Sequence, residues 1–128
     1  MYWLKLLGTT GHQMRDDWQN EGERSKDFVA SRKHMTMRPG DRIVCYATGI
    51  GSVFAVGTVT SFPYEEPDDE GFEWRVGVTL ENPKEFLHEG VTLEQLNVDG
   101  RDLRKSIKRQ SHIKLTPAEF EAAVRALA

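Results

Sequence analysis

Cysteine is almost missing from this chain: Cys45 stands alone among 128 residues. An intramolecular disulfide is therefore excluded, and nothing calls for an oxidising compartment. Long apolar runs are missing as well, since no stretch approaches the roughly 18 residues of a membrane span. The opening Met-Tyr-Trp-Leu-Lys-Leu-Leu-Gly lacks a basic leader, and its apolar run is too short for a signal peptide. A cytoplasmic protein is the simplest expectation. Strong net charge is also lacking: the value of −3 argues against a generic polyanion binder. What remains is an ordinary globular composition, 38% hydrophobic and 29% charged. At this length it is expected to form one domain over residues 1–128 with its own core.

Several chemistries are absent too. The four histidines, His12, His34, His88 and His112, have no ligand-type spacing with Cys45, so a zinc site is not expected. Cys45 alternates with Ile43 on an apolar strand face and reads as a packed, inert thiol. Asp68-Asp69-Glu70-Gly71 is too short for a calcium loop. Gly49-Ile50-Gly51 lacks the third glycine and following helix of a dinucleotide site, and reads as a hairpin turn. No Ser/His/Asp motif stands in a recognisable frame. No cofactor is expected, and a binding module is favoured over a hydrolase.

The charge that is present is segregated. Arg24 to Arg42 holds six basic residues against two acids, and Arg101 to Lys114 holds six against one. Glu65 to Glu73 carries six acids and no base. Such segregation either builds one basic face or marks solvated loops and helix sides.

Residues 2–7 alternate as a half-buried strand. Ser25 to Met37 reads as a short basic helix, with Phe28, Val29, Arg32 and Met35 on one face, stopped by Pro39-Gly40. Arg42–Thr48 and Val53–Phe62 form a hairpin rich in β-branched and aromatic residues. Trp74, Val76, Val78 and Leu80 share one face of a third strand. Short helices are expected after Thr92 and over Leu103–Arg109, then a strand at Ile113–Leu115. Thr116-Pro117-Ala118-Glu119 supplies an N-cap, a proline at the first helical position and a reciprocal glutamate, with Phe120, Val124 and Leu127 behind it. About five mainly antiparallel strands with three or four short helices make a small α+β barrel.

The order of these blocks resembles the EVE domain of the PUA-like superfamily, related to YTH and ASCH domains. The resemblance is carried by the Tyr-Trp-Leu-Lys opening and by Ser31-Arg32-Lys33-His34 before the Pro39-Gly40-Asp41 turn. Tyr46-Ala47-Thr48, Val56-Gly57-Thr58-Val59 with Pro63-Tyr64, and Trp74-Arg75-Val76-Gly77-Val78 continue it. The closing Arg109-Gln110-Ser111-His112 run through Thr116-Pro117-Ala118-Glu119-Phe120 completes it. Two departures stand out. Asp16-Asp17-Trp18-Gln19-Asn20 replaces the usual Trp-Asp-Gly-Val-Arg-Asn run, and Lys33 stands where asparagine is common.

The resemblance implies a non-catalytic nucleic-acid-binding module that accepts a modified, methylated base of DNA or RNA in an aromatic pocket. Stacking on flat rings holds a base at roughly 1–3 kcal/mol. Trp18, Tyr46 and Trp74 are the candidate walls, Trp18 because it stands alone in a polar loop. Tyr46 is expected at a rim, and Trp74 fits either a wall or the core. Ser31, Thr48 and the backbone near Ala47 are the candidate readers of the base edge. Arg32, Lys33, Lys108 and Arg109 are the candidate phosphate contacts. The rivals are an ASCH-like hydrolase of a modified nucleoside using Thr48 with Lys33, and a protein-interaction module. The oligomeric state is open.

Overall fold

The computed structural model describes residues 1–9, 13–20 and 27–128. Seven strands run through it: β1 (Tyr2–Leu7), β2 (Phe28–Ser31), β3 (Arg42–Ala47), β4 (Ser52–Val59), β5 (Tyr64–Glu65), β6 (Trp74–Glu81) and β7 (His112–Leu115). Two α-helices, α1 (Leu103–Ser106) and α2 (Pro117–Leu127), and three single turns of 3₁₀ helix complete the described chain. The sheet order is β2-β6-β4-β3-β1-β7, with β5 also on β6. It curls into a half-barrel, the α+β, PUA-like architecture.

The β3–β4 hairpin is its centre. Gly49 and Gly51 close the turn at φ of +87° and +77°, backbone that residues with a Cβ rarely adopt. Cys45 faces Ala55, but Tyr46 faces Val53, so Phe54 is the extra residue of a bulge. That residue is fully buried, and its carbonyl accepts from Lys84 N at 2.8 Å. Gly57 lets β4 and β6 approach, because a Cβ there would strike the Thr79 carbonyl.

β1 pairs parallel with β3, from Tyr2↔Arg42 to Leu7↔Ala47, and antiparallel with β7. A parallel neighbour needs a crossover, which the chain between residues 8 and 41 provides. All other pairings are antiparallel. Alternation along β1 and β3 then splits the apolar residues. Leu4, Val44 and Tyr46 pack with Leu96, Leu103, Phe120 and Leu127 under the helices. Trp3 and Ile43 pack with Met35, Met37, Val76 and Val78 on the other face. Lys5 shares that second face.

The helix expected from Ser25 to Met37 is corrected. Its first two residues lie outside the described part, Phe28–Ser31 is strand β2, and 32–37 form no helix. Val29 and Ser31 are buried in turn, a period of two that the helical spacing concealed. β6 decides the matter by offering an edge for four backbone pairs, from Phe28↔Gly77 to Ser31↔Trp74. Met35 and Met37, both fully buried, resume the alternation after the exposed Lys33.

α2 starts on a reciprocal cap, with Thr116 Oγ1 accepting from Glu119 N at 3.2 Å and Glu119 Oε1 accepting from Thr116 N at 2.8 Å. Glu119 is fully buried, and both its oxygens receive Arg101 at 2.8 Å. Arg101 also donates to the Lys114 carbonyl at 2.7 Å. This fork ties the 97–111 segment to α2 and β7. Among the described residues no helix is long and apolar enough to cross a membrane.

Candidate nucleic-acid interface

A groove of about 810 Å³ opens beyond the carboxyl ends of β1 and β3. Lys5 comes from β1, Tyr46 from β3, and Thr48 from the turn just past β3. Ser31, Arg32, Lys33 and Phe72 line one flank. The other is the run from Asp102 through α1 to Ser111. Asp102 caps α1 by accepting from Arg104 N at 3.0 Å, and the Asn97 side chain accepts from Leu103 N at 3.0 Å. Leu103, fully buried, fastens that helix to the core.

The two basic stretches of the sequence meet across this groove. Arg32 and Lys33 come from the first, and Arg104, Lys105, Lys108 and Arg109 from the second. Lys5 adds a seventh cation, with Asp102 the one acid among the described lining residues. Arg104 is paired with Glu94 at 2.9 Å, but cations still outnumber acids in the lining. A concave surface with such an excess focuses its field outward and attracts polyanions despite the acidic total.

Local contacts shape the mouth. The Arg32 guanidinium lies 4.5 Å over the Phe72 ring while its Nε donates to the Glu70 carbonyl at 3.1 Å. That pair makes a flat platform. Lys33 Nζ reaches across to the Arg109 carbonyl at 3.3 Å. Arg109 takes φ of +62°, an uncommon backbone for a residue with a side chain. Ser31 Oγ accepts from Lys33 N at 3.1 Å.

The deep part is poor in acceptors. Lys5 is 2% exposed, and Nζ donates to the Leu6 carbonyl at 2.6 Å. No carboxylate pairs with it among the described residues, and burial brings its pKa down to about 8. Its register partners are Cys45 on β3 and His112 on β7. Burial pushes the Cys45 thiol up to about 12. Burial, then the cations Lys5 and Lys33 and the nearby His34, bring His112 down to about 4, so it is neutral at neutral pH. Its Nδ1 pairs with Ser111 Oγ at 2.6 Å. Thr48 Oγ1 is buried without a partner among the described residues.

Of the candidate residues, Ser31, Arg32, Lys33, Tyr46, Thr48, Lys108 and Arg109 line the groove, and Trp18, Ala47 and Trp74 do not. Trp18 is only 5% exposed, packs edge-on against Phe54 at 4.9 Å and donates to the Lys84 carbonyl at 3.0 Å. Of its apolar cluster, Phe54, Cys45, Ala55 and Leu87 are remote in sequence, and Met14, four positions upstream in the same loop, is the near one that the sequence reading passed over. Ala47 is fully buried, its carbonyl accepting from Gly51 N, while Thr48 N donates to Leu7 O. Those backbone groups are already engaged. Trp74 is half-buried against the Trp3–Met35 cluster, with the His34 ring edge-on at 4.4 Å. Tyr46 is 8% exposed rather than at a rim, and burial, partly offset by Arg104, raises its pKa. Thr48 and Lys33 share the groove without a hydrogen bond between them. Lys5, Phe72, Arg104 and Lys105 were missed. For Lys5 the available signal was a lysine at an inward position between Trp3 and Leu7.

A half-barrel with a groove at the ends of its central strands defines a PUA-like domain. The family profile of the EVE domain matches residues 2–126, and the chain belongs to that family, which lies among the nucleic-acid-binding PUA-like domains. Solved structures agree on the fold. An Agrobacterium tumefaciens protein is 18% identical with a TM-score of 0.63, over 98% of this chain and 92% of that one. A Rhodopseudomonas palustris protein is 22% identical with a TM-score of 0.57, covering 98% and 91%. An ASCH protein from Zymomonas mobilis is 13% identical with a TM-score of 0.57, covering 97% and 94%. No curated protein matches the chain in sequence.

Proposed function

We propose that the protein is a non-catalytic reader of nucleic acid that accepts one modified base in the groove, methylation being the first modification to test. The observation that carries the reading is the groove itself, with seven cations around a space of about 810 Å³. Phosphates are held at the mouth by Lys33, Lys105, Lys108 and Arg109, which sets orientation without reading sequence. The Arg32–Phe72 platform offers a flat surface to a base withdrawn from its stack. Ser31, Thr48 and Lys5 lie where the base edge would come. The cytoplasmic setting expected from the single cysteine is part of the same proposal.

The test titrates short single- and double-stranded DNA and RNA, each with or without one methylated cytosine or adenine, at near-physiological salt. A modification-dependent gain, weakened in Lys33→Gln, with every oligonucleotide recovered intact by mass spectrometry, supports the reading. Equal weak binding to all of them sinks methylation as the mark that is read. Turnover of a modified oligonucleotide would favour the hydrolase instead.

A further inference from the structure

The groove floor has more donors than acceptors. The Lys5 ammonium offers three N–H groups and directs one to the Leu6 carbonyl. Thr48 Oγ1 is buried and has no partner among the described residues. Ser31 Oγ already accepts from Lys33 N, which leaves its own proton to donate. The Ser111 hydroxyl is engaged by neutral His112. A buried ammonium without a counter-ion is costly, and a methyl group set against it would leave its remaining N–H groups without acceptors. Oxygen acceptors on an inserted group would meet the free donors of Lys5 and Thr48 that line the groove, and a carboxylate would also supply the missing charge.

We propose that Lys5, with Thr48 as a second donor lining the same groove, is the specificity-determining residue, and that it selects a base whose inserted substituent carries oxygen acceptors, a carboxylate above all, over one carrying a methyl group. This rests on the modified-base reading and names the substituent it takes. The cations at the mouth serve any nucleic acid, whereas Lys5, 2% exposed behind them, meets only what is inserted.

The experiment uses one oligonucleotide sequence with a single cytosine that is unmodified, 5-methyl, 5-hydroxymethyl or 5-carboxyl. Each form is titrated into wild type, Lys5→Met, Thr48→Val and Lys108→Gln, with circular dichroism confirming that each variant is folded. The expected order in wild type is carboxyl, hydroxymethyl, methyl, with the carboxyl form about ten- to a hundredfold tighter than the methyl form. Lys5→Met should erase that gap, Thr48→Val should narrow it, and Lys108→Gln should weaken all four forms alike. A carboxyl preference surviving in Lys5→Met, or a gap narrowed as much by Lys108→Gln, overturns the assignment, as does a methyl form bound at least as tightly as the carboxyl form. Those results leave the modified-base reading standing. Four forms bound equally by wild type would overturn both.

Discussion

Replacing Lys5 by methionine keeps an unbranched stem and removes a buried charge, so the variant should be more stable than wild type at neutral pH. The fall in the Lys5 pKa from 10.5 to about 8 comes from burial, and at 1.36 kcal/mol per unit it corresponds to about 3 kcal/mol of destabilisation at low and neutral pH. Methionine forfeits the bond to the Leu6 carbonyl, so the net gain is about 1–2 kcal/mol. The sign in pH is specific. Between about 8 and 10.5 the unfolded chain binds more protons at this lysine than the folded one, so its penalty fades as pH rises. Between pH 7 and 9 the advantage of Lys5→Met should shrink by about 1.4 kcal/mol. Cys45 acts in the opposite sense above pH 9, because its thiol is held protonated up to about 12 in the fold. The comparison of variant with wild type therefore matters more than either curve alone. Urea denaturation followed by tryptophan fluorescence at pH 7, 8 and 9 measures it. A variant less stable than wild type at pH 7, or a gap constant with pH, would refute the buried-charge argument. A stabilised variant with impaired binding is the trade expected where a strained group serves function.

Trp18→Ala should cost about 3–5 kcal/mol of stability, read as a lowered urea midpoint, because it empties a packed site rather than a ligand wall. Arg101→Met leaves Glu119 buried without its partner. The loss should be about 2–3 kcal/mol, below the range for enclosed pairs because the Arg101 side chain is 38% exposed. Glu119→Gln added to it should restore part of that in the same denaturation series. Burial opposes the low pKa of Glu119, but the bonds from Arg101 and the Thr116 backbone outweigh it. The stabilisation is therefore present above its ordinary value of 4.5 and lost as pH falls through the folded value, so the cost of Arg101→Met should narrow in acid. Lys108→Gln should weaken every oligonucleotide alike and flatten the logarithmic salt dependence by about one unit, measured by titration from 50 to 200 mM salt.

Elements whose stabilising contacts are close in sequence were legible from residue order. The β3–β4 hairpin carries its own turn glycines, α2 carries its own cap, and β6 shows its alternation. β2 was misread because four residues satisfy both periodicities, and only the vacant edge of β6 chooses between them. Of the candidate site, the basic positions could be named but not their convergence, since Lys33 meets Arg109 across 76 positions of sequence.

Composition and spacing by themselves determined that a single inert thiol, a capped terminal helix and an apolar hairpin belong to one small α+β chain. Tertiary structure alone decided that Trp18 is core and that Lys5 is a buried cation without a counter-ion among the described residues. Burial is the reason. A side chain's chemistry is set by what surrounds it, and the surroundings of both residues come from strands and loops distant along the chain.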